Sequence, residues 1–165
     1  MIIFITGGIK SGKSRRALEL AKQVWNVPVS FIATAEALDD EMRLRIKAHQ
    51  EERAALGSFV TIEEPIALDQ AVAGANPPVL VDCIPLWINN LMYYQREPDF
   101  HPILEGFIRS IRQGILVSNE TGLGNVPFDE TTRRYNLLLA EANRRIAARA
   151  DRVEFMVSGI PLRVK

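Results

Sequence analysis

Short apolar runs alternate along the chain with longer stretches in which apolar residues recur every three to four positions. The short runs are rich in β-branched and aromatic residues, which is typical of buried strands, and the longer stretches are typical of amphipathic helices. Strands are predicted at residues 2–5, 29–33, 59–62, 79–81, 115–118, 153–157 and 162–164, and helices at 13–24, 40–56, 66–72, 86–94, 102–113 and 132–150. This alternation predicts an α/β fold with a mostly parallel sheet that is covered by helices on both faces.

Composition narrows the class of protein further. The chain has 165 residues, of which 47% are hydrophobic and 24% charged, so we expect one globular domain over residues 1–165. Twenty Lys and Arg residues balance twenty Asp and Glu residues, which argues against a nucleic-acid partner. No uninterrupted apolar stretch is long enough to span a membrane. The single cysteine, Cys83, cannot form an intramolecular disulfide and fits a cytoplasmic location.

A glycine-rich loop follows the first predicted strand and precedes the first predicted helix. Its residues match the phosphate-loop pattern G-x-x-x-x-G-K-[ST] at each fixed position, and they are Gly7, Gly8, Ile9, Lys10, Ser11, Gly12, Lys13 and Ser14. Glycines let the backbone wrap a phosphate, and N–H groups at the helix start bind its oxygens. The motif therefore predicts a nucleoside triphosphate site of the P-loop NTPase type, with Ser14 as a ligand of Mg²⁺.

A second Mg²⁺ ligand is predicted at the end of another strand. Asp82 directly follows the apolar run 79–81, and P-loop proteins need such an acid to hold the metal ion. The alternative is that Asp82 is only a turn residue at the end of its strand. The phosphate loop favours the metal role.

The predicted helix at 40–56 carries a histidine on its apolar side. At about 100° per residue, Met42, Ile46, His49 and Arg53 fall within one stripe about 60° wide. A neutral imidazole is a possible nucleophile toward an α-phosphate, with release of pyrophosphate, and Arg53 is placed to hold a phosphate. Spacing alone favours the other interpretation, a half-buried histidine with a structural role only.

These motifs together resemble those of the bifunctional adenosylcobinamide kinase / adenosylcobinamide-phosphate guanylyltransferase family. The resemblance covers nearly the whole chain. Besides the phosphate loop it rests on the segments Phe31-Ile32-Ala33-Thr34-Ala35, Asp39-Asp40-Glu41-Met42, His49 to Arg53, Val81-Asp82-Cys83, Asn119-Glu120-Thr121-Gly122-Leu123-Gly124 and Ser158-Gly159-Ile160-Pro161. One departure is that residues 90–115 form a shorter stretch than is usual in the family.

The resemblance implies a two-step reaction in cobalamin assembly. The family phosphorylates adenosylcobinamide with ATP or GTP, and then transfers GMP from GTP to that phosphate through a guanylylated histidine, which corresponds to His49. It further implies a trimer and nucleotide contacts at residues 7–14, Ala33, Thr34, Ala35, Gln50, Glu51, Glu52, Arg53, Glu63 and Asp82. From the residues alone, two alternatives stay open: a plain P-loop kinase with a structural His49, and a nucleotide-dependent switch protein.

The loop at residues 119–124 follows the predicted strand 115–118. Because parallel strands point their carboxyl ends toward a common ligand crevice, we expect this loop to border the site. Gly122 and Gly124 would allow close approach of the backbone, although a merely flexible turn would have the same composition.

Overall fold

The computed structural model describes residues 1–37 and 39–165, and for Arg45 the backbone only. The strands are β1 (Ile2–Gly7), β2 (Val29–Ala33), β3 (Phe59–Glu63), β4 (Val79–Asp82), β5 (Gly114–Val117), β6 (Arg152–Val157) and β7 (Ile160–Arg163). The helices are α1 (Lys13–Val24), α2 (Asp40–Leu56), α3 (Leu68–Gly74), α4 (Ile84–Tyr93), α5 (Phe100–Ser110) and α6 (Glu130–Arg149). In this part of the chain, no helix is both long and apolar enough to cross a membrane.

Each predicted strand and helix is present, but several helix ends were predicted wrongly. α3 begins two residues late, because the Glu64 carboxylate accepts the amides of Ile66 and Ala67 and holds them in a turn. α6 begins two residues early, because the Asp129 side chain accepts the amide of Thr132 at 2.7 Å and caps the helix there. α5 begins at Phe100 after a short 3₁₀ turn and ends three residues early, at Ser110.

All seven strands form one sheet in the order β3-β2-β4-β5-β1-β6-β7. Every pairing is parallel except that of β6 with β7, so the carboxyl ends of the first six strands lie along one edge. Gly114 pairs with both neighbours at the other edge, where a Cβ would lie 2.5 Å from the Val79 carbonyl oxygen. The prediction of a mostly parallel sheet is confirmed.

Helices cover the two faces of the sheet unequally. On one face, alternate strand residues such as Ile3 and Ile5 pack against α1, and Leu56 at the end of α2 joins them. On the other face, α3, α4, α5 and α6 pack over Phe4 and its neighbours, with Trp87 stacked on Phe100 at 5.5 Å. Apolar burial at both faces stabilises the sheet, and the carboxyl edge of the sheet is left open between the two layers of helices.

Candidate active site

A cleft of about 570 Å³ lies at the carboxyl edge of the sheet. The phosphate loop forms one wall, the ends of β2 to β5 form the floor, and α2 forms the opposite wall. Of the predicted site residues, it is lined by Ile9, Lys10, Ser11, Gly12, Lys13, Ser14, Ala33, Ala35, His49, Gln50, Glu52, Arg53, Glu63 and Asp82. Segments distant in sequence thus meet at one cavity of a size that suits a small ligand.

The phosphate loop has the backbone shape that its glycines allow. Gly12 adopts φ +90° immediately before α1, a left-handed conformation that side chains rarely take. At Gly7, a Cβ would lie 2.5 Å from the Met156 carbonyl oxygen, so β1 can approach β6 only with glycine there. Lys13 is 7% exposed, and its ammonium donates to the Gly8 carbonyl and to the Ser11 hydroxyl. The loop therefore curls around its own lysine.

The two predicted metal ligands lie side by side. The Ser14 hydroxyl donates to the Asp82 carboxylate at 3.3 Å, which joins the first turn of α1 to the end of β4. Octahedral Mg²⁺ with oxygens at about 2.1 Å places adjacent ligands about 3 Å apart, so this spacing fits the ion. Mg²⁺ usually takes only one or two protein ligands and completes its shell with water and phosphate oxygens. In the described chain, no group of three or more His, Cys, Asp or Glu side chains could hold a metal ion.

The apolar stripe of α2 faces the cleft. The helix is capped by Asp39, whose side chain accepts the Met42 amide at 2.7 Å, and all four residues of the predicted stripe line the cavity: Met42, Ile46, His49 and Arg53. The His49 side chain is 38% exposed, and its Nδ1 lies 3.8 Å from a Glu52 carboxylate oxygen. That distance is too long for a hydrogen bond, so Glu52 acts on the imidazole only through its charge.

Arg53 is a buried cation in the wall of the cleft. Its guanidinium lies 4.0 Å above the Phe31 ring, and Nε has no hydrogen-bond partner within the described residues. Burial lowers the pKa of Arg53, while the charges of Asp82, Glu63 and Glu52 oppose that shift. An arginine nevertheless stays protonated at neutral pH. The wall of the cleft therefore carries a permanent positive charge, which suits an anionic ligand.

The other predicted residues divide into two groups. Glu63 ends β3 at the cleft and accepts from Gln50 at 3.3 Å, whereas the adjacent Glu64 caps the turn before α3. Thr34 and Glu51 are not brought to the cavity. The Thr34 hydroxyl is fully buried and bonds to the backbone of Cys83, and Glu51 pairs with Lys47 on the exposed side of α2. Gly7, at the end of β1, and Gly8 do not line the cavity either.

Several lining residues were missed in the sequence. Cys83 follows β4, packs against the core and is partly exposed in the cleft. Leu86 and Asn89 reach it from α4, and Tyr135 from α6. Burial raises the pKa of Tyr135 to about 12, so its hydroxyl remains a donor at neutral pH. Cys83 could have been predicted only from its position directly after a strand, since the carboxyl ends of parallel strands border the cleft. Whether the other three residues reach the cleft depends on how the helices pack.

The loop after β5 lies at the cleft, where Asn119 and Thr121 form part of its lining. Its base is fixed by α6, because Asn143 donates to the Asn119 carbonyl at 2.8 Å and accepts from Ser118 at 2.6 Å. The Glu120 amide donates to the Gly7 carbonyl at 3.0 Å, which ties the loop to β1. The start of this loop is therefore held in place next to the phosphate loop.

The chain is similar in sequence to known proteins over nearly its whole length. Residues 3–164 match the family model described as cobinamide kinase / cobinamide phosphate guanyltransferase. The bifunctional adenosylcobalamin biosynthesis protein CobP of Pseudomonas aeruginosa is 42% identical over 98% of this chain and 95% of its own length. CobU of Escherichia coli, with the same description, is 32% identical over the whole of both chains.

Solved structures are similar in fold. Flagellar accessory protein FlaH from Methanocaldococcus jannaschii superposes with a TM-score of 0.53 at 14% identity, over 99% of this chain and 77% of that one. A KaiC-like protein from Pyrococcus horikoshii gives 0.52 at 17% identity, over 93% and 69%. With the phosphate loop at its expected place, the predicted P-loop NTPase fold is confirmed.

Proposed function

The chain belongs to the cobinamide kinase / cobinamide phosphate guanyltransferase family, and from that membership we propose how its residues divide two reactions. The protein is a bifunctional enzyme of cobalamin biosynthesis: it phosphorylates cobinamide and attaches a guanylyl group to the product. Nucleoside triphosphates are its other substrates, with ATP or GTP as the proposed phosphate donor and GTP as the proposed guanylyl donor.

The first reaction is assigned to the phosphate loop. The acceptor hydroxyl of cobinamide attacks the γ-phosphorus, the bond from that phosphorus to the bridging β-phosphate oxygen breaks, the nucleoside diphosphate leaves, and the hydroxyl proton passes to water. Lys13 and the backbone N–H groups at the start of α1 hold the phosphates and offset their charge. Ser14 and Asp82 are the residues that would hold Mg²⁺, which supplies further charge neutralisation when bound.

The second reaction needs a nucleophile that a phosphate loop does not contain. We assign it to Nε2 of His49, which attacks the α-phosphorus of GTP while the bond to the β-phosphate oxygen breaks and pyrophosphate leaves. A phosphate oxygen of phosphorylated cobinamide then attacks the same phosphorus, and the P–N bond breaks. Arg53 holds the charge on the phosphates during both transfers. The observation that carries this proposal is that His49 and the phosphate loop line one cleft.

Separate assays of the two reactions test the division of labour. Because the phosphate loop does not need the imidazole, His49→Ala should keep cobinamide phosphorylation within about threefold and lose guanylyl transfer by at least about a thousandfold. His101→Ala is the matched control, since His101 is exposed on α5 and pairs with Glu141. Lys13→Ala should impair both reactions. Equal loss of both in His49→Ala would mean that His49 serves the fold or both steps, and would contradict the proposal.

The assembly is proposed to be a trimer. Apolar side chains of the last strand and the residue after it are exposed, among them Ile160, Leu162 and Val164, and a partner subunit would cover such a surface. Light scattering at micromolar concentration measures the mass directly.

We also propose one domain over residues 1–165 and a cytoplasmic location, which the single thiol of Cys83 fits.

A further inference from the structure

A second groove, of about 810 Å³, adjoins the nucleotide cleft. It lies between the segment before α2, the helix α4 and the first turns of α6. It is lined by Glu36, Asp39, Met42, Leu86, Asn89, Asn90, Met92, Tyr93, Glu97, Glu130, Thr131, Thr132, Arg134 and Tyr135. Met42, Leu86, Asn89 and Tyr135 line both cavities, so the groove opens directly into the cleft. Building on the function proposed above, we propose that this acceptor groove binds the corrinoid in both reactions.

Charge separates the two cavities. Four carboxylates line the acceptor groove, those of Glu36, Asp39, Glu97 and Glu130. Its one arginine, Arg134, is already paired with Glu97 at 2.7 Å. The nucleotide cleft is lined by the four cations Lys10, Lys13, Arg15 and Arg53 and by the three acids Glu52, Glu63 and Asp82, so its charge has a small positive excess where that of the groove is negative. A triphosphate is repelled from the groove and attracted to the cleft.

The lining also matches a corrinoid in its chemistry. Cobinamide is a flat macrocycle with a cationic cobalt centre and primary amides at its periphery, and it carries no phosphate before the first reaction. Leu86, Met92 and the 65% exposed ring of Tyr93 offer apolar surface for the flat face. Asn89 and the carboxylates accept hydrogen bonds from amides. The acidic charge of the groove suits a cation.

The opening between the groove and the cleft lets a substrate bound in the groove reach the reacting phosphates. An acceptor seated there extends its alcohol arm past Asn89 and Tyr135 toward the phosphate loop. Once phosphorylated, the same arm needs only to reach His49, which lines the same cleft across from the loop. One corrinoid site therefore serves both transfers, and the flat ring does not enter the nucleotide cleft.

A bulky side chain in the groove tests this assignment. Thr131 is exposed on the first turn of α6 and lines the acceptor groove but not the nucleotide cleft. Thr131→Trp should raise the KM for cobinamide and its Kd in equilibrium dialysis by at least about tenfold, and leave the Kd of a fluorescent GTP analogue within about twofold. The matched control is Ala140→Trp, at an exposed position of α6 outside both cavities, which should change neither constant.

Two substitutions at Tyr93 test the corrinoid site with a smaller change of the side chain. Tyr93→Ala should raise the KM for cobinamide by about threefold to tenfold, and Tyr93→Phe should retain the wild-type value, because the ring face is what packs on the corrinoid. An unchanged KM for cobinamide in both Thr131→Trp and Tyr93→Ala would overturn the proposal, as would equal weakening of GTP binding. A change of oligomeric mass in Thr131→Trp with unchanged KM would assign the groove to an interface between copies. Wild-type protein that does not turn over cobinamide would instead contradict the proposed function itself.

Discussion

Glu154 is a carboxylate inside the molecule, 1% exposed on β6, beside the strand that leads into the phosphate loop. It accepts from Arg16 of α1 at 2.9 and 3.0 Å and also from Arg152. These hydrogen bonds, that of Arg16 first, hold the pKa of Glu154 below its ordinary value of 4.5. The pair with Arg16 anchors α1 to β6 just after Lys13, so it acts on the position of the phosphate loop.

Replacing this carboxylate should destabilise the protein in a pH-dependent way. At pH 7, Glu154→Gln should lower the free energy of unfolding by about 3 kcal/mol, because two arginines lose their partner. Since the pKa is lower in the folded state, this stabilisation is complete above pH 4.5 and disappears as the pH falls through the folded-state value. Urea unfolding between pH 7 and pH 3 should show the gap between variant and wild type closing.

The control for that comparison is Glu19→Gln. Glu19 pairs with Arg15 on the exposed side of α1 at 2.8 Å, and such pairs contribute at most about 1 kcal/mol. The account of the buried cluster would be contradicted by a gap for Glu154→Gln that stays constant down to pH 3, or by equal losses in the two variants.

Among the elements, α2 has an unusual combination of exposure and chemistry. Of its described side chains only that of Arg53 is buried, whereas α1 buries Ala17, Leu18, Leu20 and Ala21. The helix that carries His49 is therefore held by its cap at Asp39 and by its last turns, not by a packed face. Few buried contacts mean that local opening costs little free energy.

Hydrogen exchange should show this difference between the helices. Without nucleotide, amides in the middle of α2 should exchange at least about tenfold faster than those of α1. GTP should slow exchange in α2, because His49 and Arg53 then contact a ligand. Mass spectrometry of peptides from residues 40–56 and 13–24 measures both rates. Protection of α2 equal to that of α1 in the free protein would contradict the picture of a loosely packed helix.

Most of the fold was predictable because strands and helices differ clearly in hydrophobic period. The stripe of Met42, Ile46, His49 and Arg53 was found for the same reason, and all four line the cleft. Helix ends were not predictable, because they depend on single side chains. Glu64, for example, caps the turn before α3, but nothing in the sequence distinguishes it from any other acid. The placement of Thr34 was missed because tertiary hydrogen bonds, not local pattern, bury it.

At the scale of the molecule, a formal net charge of zero conceals two oppositely charged cavities that open into each other. Sequence composition indicated only that no broad polyanion binds. The fold brings the basic loop of residues 7–14 and Arg53 to one cavity, and to the next it brings the acids before α2, in the 3₁₀ turn before α5 and at the start of α6. Charge separation on this scale depends on topology, because the acids come from segments far apart in the chain.

The claim at the centre of this account is that His49 carries GMP between the two substrates. It is tested most directly by incubating the protein with α-labelled GTP and Mg²⁺, denaturing it, and measuring protein-bound label. A phosphoramidate predicts label that is stable in alkali and lost in acid, present on the wild type and on His101→Asn, and absent from His49→Asn. Label that persists unchanged on His49→Asn would place the guanylyl group on another residue and contradict the account.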